Sequence, residues 1–469
     1  MKKMSESQNK FDLIVIGGGP AGYVAAIRGA QLGKKVCIIE KGKLGGTCLN
    51  VGCIPTKALH KSAHIIRDIH KAENFGIKVS GYEIDFPKLM QNKNQIVKQL
   101  VDGVYYLMKK NKVTHKVGIA SFVDKNTVKI DNEGKTKQVV GDKILICTGS
   151  VNALPPIAGI DGKGILDSTS ALDLQQIPQS MLVIGGGVIG CEFASIYKAY
   201  GTDITVVEVL KGLLTGMDEE LGQTLQKSMK KDGIKLLLDS KVMEIADDAS
   251  GQKVVTVVSN GKTEKIVVEK VLVAAGRKAN VEGLNLDKIG VKTERQGIVV
   301  DQYMQTSVPH IYAAGDVIGK DMLAHVAYEE AVIAVENAMG EKRTMSYTCI
   351  PKAVFTFPEI ASVGISEAEA KNSGKPISVG KFSLRGNGKA LTLGEADGFI
   401  KIIASKEYNE ILGFHMYGPQ ATELLAEATL AMSMEATLED VEAAIHSHPS
   451  ISEAVKEAVM DALGRVLHA

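Results

Sequence analysis

The sequence predicts an α/β fold built on parallel sheets, because a pattern of strand, glycine turn, helix and strand occurs twice. One copy spans residues 11–40 and the other residues 181–208, and Gly185 follows Gly17 by 168 positions. Parallel neighbours need a crossover connection, which the helix of each copy supplies. The pattern stops after about residue 350, so we expect a separate α+β domain at the C-terminus.

Composition places the chain among ordinary globular proteins. Its 469 residues are 45% hydrophobic and 23% charged, and its formal net charge is +1. A chain with this charge balance has no overall positive potential that would attract nucleic acid or anionic lipid. We therefore expect it to act on small molecules. No apolar run approaches the ~18 residues of a membrane span, and the leader MKKMSESQNK has no apolar stretch. We therefore expect a cytoplasmic protein without nucleic-acid or membrane partners.

The first copy is predicted as a βαβ unit that binds a dinucleotide. It consists of a strand over 11–16, a helix over 20–32 and a strand over 36–39. Gly17, Gly19 and Gly22 form G-x-G-x-x-G directly after the first strand. The first glycine makes the tight turn, the second lets a pyrophosphate approach the backbone, and the third lets the helix pack on the strand. Glu40 ends the second strand, where it would bind ribose hydroxyls.

The second copy repeats these features with a strand over 181–184, a helix over 188–200 and a strand over 204–207. Gly185, Gly187 and Gly190 form the glycine turn, and Glu208 ends the last strand. A carboxylate at Glu208 would repel a 2′-phosphate, so this site should prefer NAD to NADP. Lys211 lies close by and is expected to be a solvated surface charge.

The remaining elements extend these sheets and form the C-terminal domain. Strands ending in glycine are predicted over 144–149, 271–276 and 311–315, alternating strands over 399–404 and 411–417, and helices over 420–434 and 452–467. Two dinucleotide sites suggest an electron relay, which usually passes through a flavin. We expect Thr148, Gly149 and Asp316 to bind FAD and Gly276 to bind NAD, since strand ends line the ligand crevice of such sheets. On its own, Asp316 could equally cap a helix.

Cys48 and Cys53 lie five positions apart in the run GGTCLNVGCIPTK. In a straight helix this spacing is about 7.5 Å of rise, beyond the usual ~4.4 to 6.8 Å between the Cα atoms of a disulfide. A bridge would need a distorted turn, which Asn50 and Gly52 permit, and a helix N-terminus favours thiolates. Two unrelated buried thiols are the alternative, and zinc is disfavoured because no second cysteine pair follows. The other cysteines are expected to be buried and inert: Cys37, Cys147, Cys191 and Cys349.

The cysteine run between two glycine fingerprints resembles the flavoprotein disulfide reductases, and the match spans nearly the whole chain. HSHPSISE, near the C-terminus, is similar to the His-Pro-Glu signature of that family. The resemblance implies a redox-active disulfide between Cys48 and Cys53, with His448 as base and Glu453 orienting its imidazole. It implies no metal site. A histidine also suits proton transfer near neutral pH on chemical grounds alone.

Weaker expectations surround this signature. Pro449 is predicted to start a helix with Glu453 in its first turn, and His446 is expected to be structural. By resemblance, Lys57 and Glu192 form an ion pair near the reactive nitrogen of the flavin, although in the sequence alone each is simply a charged residue.

The resemblance also implies the domain organisation. It predicts an FAD-binding domain over 1–150, an NAD-binding domain over 151–276, a central segment over 277–348 that completes the FAD site, and a dimerisation domain over 349–469. The fold class is thus α/β, with two Rossmann-like dinucleotide-binding domains plus a C-terminal α+β dimerisation domain. In the family, the catalytic histidine reaches the cysteines of the partner subunit, so the homodimer would be obligatory.

Several members of the family fit the sequence poorly. The arginines that hold an NADP phosphate are missing after the second fingerprint, and no cysteine follows Cys349. The chain resembles the remaining members, and this resemblance implies oxidation of dihydrolipoamide with reduction of NAD⁺. No lipoyl domain precedes residue 11, so we expect a partner to carry the lipoyl group: a lipoyl-bearing acyltransferase (E2) or the H-type carrier protein of glycine cleavage. The alternatives are an NADH oxidase or NADH:quinone reductase, which bypasses the disulfide, and a scaffold subunit that binds an acyltransferase core.

Overall fold

The computed structural model describes residues 9–468, so most of the predicted leader lies outside the described residues. The first region forms a sheet with helices packed on it. Its elements are β1 (Lys10–Ile16), α1 (Pro20–Gln31), β2 (Val36–Glu40), α2 (Gly46–Val51), α3 (Cys53–Lys71), α4 (Phe86–Lys110), β3 (Thr114–Val117), β4 (Ile119–Phe122), β5 (Thr127–Asn132) and β6 (Lys135–Ile146). The order is β3-β2-β1-β6-β5-β4, and β1 pairs in parallel with β2 and β6. This confirms the first βαβ unit.

The second region contains the other predicted repeat. Its elements are β7 (Ser150–Asn152), β8 (Ile165–Leu166), α5 (Ser168–Ala171), β9 (Ser180–Ile184), α6 (Val188–Ala199), β10 (Asp203–Val207), α7 (Glu219–Lys231), β11 (Lys235–Leu237), β12 (Ser240–Asp247), β13 (Lys253–Ser259), β14 (Lys262–Val268), β15 (Lys270–Val273) and β16 (Arg277–Ala279). A parallel sheet has the order β11-β10-β9-β15-β8. Strands β12 to β14 form a separate antiparallel sheet, and β7 pairs antiparallel with β16.

The chain then returns to the first sheet. The next elements are α8 (Leu286–Ile289), β17 (Ile311–Ala313) and α9 (Ala324–Ala338). Strand β17 pairs in parallel with β6, so Ile311 lies opposite Ile144, and α9 packs against α1. The first sheet is therefore assembled from two separate stretches of chain, one on each side of the second region.

The C-terminal region is the expected α+β unit. Its elements are β18 (Lys352–Val354), β19 (Glu359–Gly364), α10 (Glu367–Asn372), β20 (Ile377–Ser383), α11 (Gly388–Leu393), β21 (Phe399–Ser405), β22 (Ile411–Gly418), α12 (Ala421–Ser433), α13 (Leu438–Ala443) and α14 (Glu453–Ala462). The strands form an antiparallel sheet in the order β18-β19-β22-β21-β20.

Two expectations for this region were wrong. The last helix begins at Glu453 rather than at Pro449. Strands β21 and β22 are buried along almost their whole length rather than alternating between core and solvent. The reason is packing on both sides, because α14 lies against β21 and α7 of the second region lies against β22. Among the described residues, no helix is long and apolar enough to cross a membrane.

Candidate active site

The first glycine turn joins β1 to α1 and has room only for glycine at two of its positions. Gly17 has φ +105°, and a Cβ there would lie 2.2 Å from the carbonyl oxygen of Cys147. A Cβ on Gly22 would lie 1.9 Å from the carbonyl oxygen of Gly17. At Gly19 the nearest atom would be 3.7 Å away, so that position opens towards a cleft. The turn thus leaves space for a ligand at its middle glycine.

The second glycine turn, between β9 and α6, repeats this geometry. Gly185 has φ +115°, and its Cβ would lie 2.4 Å from the carbonyl oxygen of Ala274. A Cβ on Gly190 would lie 2.0 Å from the carbonyl oxygen of Gly185, whereas one on Gly187 would meet no atom within 4 Å. Open space in front of the middle glycine is what close approach of a pyrophosphate requires.

The acid that ends the second strand of each repeat braces its glycine turn. Oε2 of Glu40 accepts a hydrogen bond from the N–H of Gly18 at 2.7 Å. Oε2 of Glu208 likewise accepts from the N–H of Gly186 at 2.5 Å. Glu40 lines the cleft, but Glu208 is buried behind its turn. The two copies therefore share individual hydrogen bonds as well as the order of their helices and strands.

Most of the predicted site residues line one large cleft of about 2240 Å³. The predicted residues on its wall are Gly17, Gly19, Glu40, Cys48, Cys53, Lys57, Thr148, Gly149, Asp316, Gly187 and Glu192. This volume exceeds the roughly 300 to 1,000 Å³ of a pocket for a drug-sized ligand, so it suits extended cofactors. The predicted residues that do not line the cleft are Gly22, Gly185, Gly190, Glu208, Gly276, His448 and Glu453.

The sequence did not lead us to predict a hydrogen-bond network that Arg277 and Ser150 form beside Asp316. Arg277 donates from Nε to the Ser150 hydroxyl at 2.7 Å and from Nη1 to Oδ1 of Asn152 at 2.6 Å. The Ser150 hydroxyl donates to Oδ2 of Asp316 at 2.5 Å. Burial lowers the pKa of Arg277, an effect that Asp316 opposes. A signal was present, because Ser150 and Arg277 each directly follow a glycine that ends a predicted strand.

The two cysteines lie on either side of a break between two helices. Helix α2 contains Cys48, and α3 begins at Cys53. Gly52 interrupts the helical path with φ −145° and ψ −111°. Asn50 supports the preceding turn, because its Nδ2 donates to the carbonyl oxygens of Leu44 and Gly46, each at 3.0 Å. The distorted turn expected for this spacing is therefore present.

The pair is held as two thiols in hydrogen-bond contact, with unequal acidity. The hydrogen bond from Cys48 lowers the pKa of Cys53 to about 7, although burial opposes this, and the nearby Lys57 ammonium lowers it further. The same hydrogen bond, together with burial, raises the pKa of Cys48. As pH rises, the thiolate therefore forms on Cys53 first, while Cys48 keeps its proton.

The other cysteines have no such polarisation. Burial raises the pKa of Cys37 to about 12 and also raises those of Cys147 and Cys191, which fits inert thiols. Cys349 differs from expectation, since it is half-buried. It lies just before β18, in the connection to the C-terminal sheet rather than inside a core element.

Lys57 and Glu192 form an ion pair beside the cysteines. Nζ of Lys57 lies 2.9 and 3.0 Å from the two carboxylate oxygens of Glu192. Glu192 is buried in α6 and also accepts the N–H of Phe355 at 2.9 Å. Lys57 lies 4.2 Å from the centre of the Phe355 ring. Because Lys57 follows Cys53 by four positions in α3, the two project from the same helix face.

His448 and Glu453 pair at the other end of the chain. Nδ1 of His448 lies 2.8 Å from Oε1 of Glu453, and the Ser450 N–H donates to Oε2 at 2.8 Å. Burial would raise the pKa of Glu453, but these two contacts hold it below its usual value. The imidazole is 81% exposed and does not line the cleft of its own chain. One chain alone therefore does not bring His448 to the cysteines.

The neighbours of His448 differ in exposure. Ile445, three positions before it, is 97% exposed. His446 instead turns inward, with Nε2 2.7 Å from Oε1 of Glu427, in agreement with a structural role. The chain thus presents His448 outward beside an apolar side chain.

Comparison with known proteins agrees with this architecture. Residues 11–331 match the family described as pyridine nucleotide-disulphide oxidoreductase, and residues 350–459 match the dimerisation domain of the same family. The curated dihydrolipoyl dehydrogenase of Bacillus subtilis (strain 168) is 41% identical, covering 97% of this chain and 100% of its own length. The mitochondrial dihydrolipoyl dehydrogenase of Pisum sativum is 43% identical, covering 100% of this chain and 94% of its own.

Solved structures give the same result. The HOCl-induced flavoprotein disulfide reductase RclA from Escherichia coli superposes with a TM-score of 0.86 at 27% identity, covering 96% of this chain and 99% of that one. The first family model covers the two glycine turns, and the second covers the C-terminal sheet. The chain belongs to the pyridine nucleotide-disulphide oxidoreductase family.

Proposed function

We propose that this protein is a dihydrolipoyl dehydrogenase, which oxidises dihydrolipoamide to lipoamide and reduces NAD⁺ to NADH. The observation that carries the proposal is the polarised cysteine pair on the wall of a cleft that also holds a dinucleotide-type glycine turn from each repeat. Several curated relatives of that name match almost the whole chain. An enzyme that bypassed the disulfide would have no need of two thiols with opposite proton preferences.

The residues present fit FAD and NAD. The open space at Gly19 suits the pyrophosphate of FAD, with Glu40 and Asp316 placed for its ribose and ribityl hydroxyls. The open space at Gly187 suits NAD, with Glu208 at the end of β10. When bound, the flavin accepts two electrons from a dithiol and the nicotinamide carries them away as hydride.

The cysteines and the histidine supply the thiol chemistry. A thiolate of dihydrolipoamide attacks Sγ of Cys48 in the oxidised pair, the Cys48–Cys53 bond breaks, and Cys53 leaves as a thiolate. The second substrate thiol attacks the mixed disulfide, closes the lipoamide ring and releases Cys48. The Lys57 ammonium also lowers the pKa of Cys53, and its charge is still present when Cys48 is bound to the substrate, so it favours Cys53 as the leaving group.

Proton transfer falls to His448 of the partner subunit. Because Glu453 holds Nδ1, Nε2 is the nitrogen that takes the substrate proton, and the carboxylate stabilises the resulting imidazolium. The exposed position of His448 suits this role, since it leaves the imidazole free to enter a neighbouring chain. The proposed active assembly is a homodimer in which each chain supplies cysteines to one site and a histidine to the other.

The substrate arrives on another protein in this proposal. The proposed carrier is a lipoyl-bearing acyltransferase (E2) or a glycine cleavage H-type protein; the relatives are named for the dihydrolipoyl group alone. A cytoplasmic location stays a prediction, because the relatives include mitochondrial proteins.

The proposal is tested by the visible spectrum of the purified protein under anaerobic conditions. Dihydrolipoamide should produce a long-wavelength band from the Cys53 thiolate beside the flavin, and NAD⁺ should then remove the band as NADH forms. A flavin that ignores dihydrolipoamide but bleaches with NADH would instead identify an oxidase or quinone reductase. In that case Cys48, Cys53 and His448 would lose their assigned roles together.

A further inference from the structure

A buried group of charges joins the C-terminal sheet to the second region. Lys401 lies in β21 with a side chain only 3% exposed, and its Nζ is 2.6 Å from Oδ1 of Asp218, itself 2% exposed. Glu367 and Glu220 approach the same nitrogen at 3.0 and 3.2 Å. Burial alone would lower the pKa of Lys401 and raise that of Asp218, yet their contact reverses both directions. Both groups therefore stay charged inside the protein.

The charges of this Lys401 cluster are balanced at its rim. Lys371 lies 2.6 Å from Glu367, and Lys381 contacts Glu220. Three lysines thus face three carboxylates, with Lys401 and Asp218 at the buried centre. A buried ion pair is weak evidence for stability, since apolar residues of similar size often do as well, but it can fix a particular geometry.

Asp218 stands at the end of a loop that reaches the second glycine turn. Its Oδ1 caps α7 through the N–H of Glu220 at 3.1 Å. Residues 214–217, immediately before it, line the large cleft. Leu214, in the left-handed conformation with φ +53°, donates its N–H to the carbonyl oxygen of Gly186 at 3.0 Å. A continuous path of contacts therefore runs from Lys401 through this loop to Gly186.

We propose that Lys401 is a positioning residue for the pyridine nucleotide, holding loop 214–217 and the second glycine turn in the conformation that seats NAD. This inference rests on the proposed function. It gives the C-terminal domain a second role besides assembly, because a side chain of its sheet controls a site in another region. Lys401 touches neither substrate nor cofactor in this role and acts only through Asp218.

The test separates nucleotide binding from thiol chemistry. In the holoenzyme, Lys401→Met should raise KM for NAD⁺ about 10-fold, close to 1.4 kcal/mol of binding free energy. The rate at which dihydrolipoamide reduces the flavin anaerobically, without NAD⁺, should stay within about 2-fold of wild type. Lys401 and Asp218 do not themselves line the large cleft that contains the cysteines. Lys381→Met is the matched control, because it removes a lysine at the exposed rim and should leave both quantities unchanged.

A purely structural role would give other results. A folded Lys401→Met enzyme with wild-type KM for NAD⁺, or one in which both half-reactions fall together, would overturn the inference. If Lys401→Met fails to fold, Asp218→Asn decides by the same two measurements, because it keeps an oxygen to cap α7 while removing the charge. If wild type itself does not reduce NAD⁺ with dihydrolipoamide, the proposed function fails; calorimetric titration of NAD⁺ into wild type and variant then tests the inference alone.

Discussion

At the scale of single residues, the active site depends on one hydrogen bond between like groups. Cys48 and Cys53 are both thiols, but the bond makes one the donor and the other the acceptor, which separates their pKa values in opposite directions. Lys57 adds to the effect on Cys53 and is itself held by the buried carboxylate of Glu192. In the reduced pair, two chemically identical side chains thereby differ in acidity, and Cys53 is the one that ionises first.

The first prediction concerns this hydrogen bond. In the reduced protein the Cys53 thiolate should disappear as pH falls through about 7. Cys48→Ala removes the largest cause of that low pKa, so the transition should move up towards the ordinary value of 9.0. At pH 8 the thiolate fraction would then fall from about nine tenths to about one tenth. The measurement is the rate of Cys53 alkylation against pH. Cys48→Ser keeps a hydroxyl donor and should shift less; equal shifts would exclude the hydrogen bond as the cause.

The second prediction distinguishes the two neighbouring histidines. His448→Gln should lower dihydrolipoamide-dependent NAD⁺ reduction at least about 100-fold, the usual contribution of a general acid–base. NADH oxidation by an artificial acceptor such as ferricyanide should persist, because that reaction bypasses the thiols. His446→Gln is the control, since His446 is turned inward to Glu427 and should retain turnover. Wild-type turnover in His448→Gln would remove the base from the mechanism.

At the scale of elements, the two βαβ units show one local design used twice. In each unit the first and third glycines are fixed by contacts within the protein, whereas the middle one faces open space. The terminal acid of the unit then ties the turn to the strand beside it. Folding and ligand binding thus place separate demands on different glycines of the same motif, so substitutions can separate them.

The third prediction uses this separation in the second unit. Gly187→Ala should leave the thermal unfolding midpoint close to wild type, because its Cβ meets no protein atom within 4 Å, while KM for NAD⁺ rises. Gly185→Ala should destabilise the fold by about 1 to 3 kcal/mol, since φ is +115° and its Cβ would overlap the Ala274 carbonyl. Differential scanning calorimetry and steady-state kinetics measure the two effects. A folded Gly187→Ala enzyme with wild-type KM for NAD⁺ would show that the open space is not a ligand site.

Elements with strong local patterns could be predicted from the sequence, and long-range contacts could not. The strand predicted over 11–16 is observed as β1, Lys10–Ile16. It could be predicted because an apolar run that ends at a glycine turn indicates a strand without any information from distant residues. No strands were predicted over 240–268, where an antiparallel sheet forms. Lys401 lies in a strand that was expected to alternate, and only the topology places Asp218 against it. The glycines before Ser150 and Arg277 mark both positions as strand ends, but no local pattern shows that these two residues, 127 positions apart, contact each other.

At the scale of the whole molecule, the described chain has the parts of an active site but does not assemble them. The cysteines line a cleft to which every region of the described chain contributes residues. His448 stands exposed on the C-terminal domain, held by the half-buried Glu453. That domain matches the dimerisation domain of the family. A two-fold dimer brings the same surfaces of both chains into reciprocal contact, so one arrangement can complete two sites at once.

The last prediction follows from that reciprocity and concerns mixed dimers. Cys53→Ser and His448→Gln should each be inactive with dihydrolipoamide as homodimers. A heterodimer of the two variants has one site with both defects and one site with intact cysteines and an intact histidine, so it should regain about half of wild-type activity. Coexpression of the two chains with different affinity tags, followed by purification on both tags, isolates this species for assay. If His448 instead served the cysteines of its own chain, both sites of the heterodimer would be defective and activity would stay at the level of the homodimers. Bound FAD and NADH oxidation with ferricyanide would show that such an inactive heterodimer is folded.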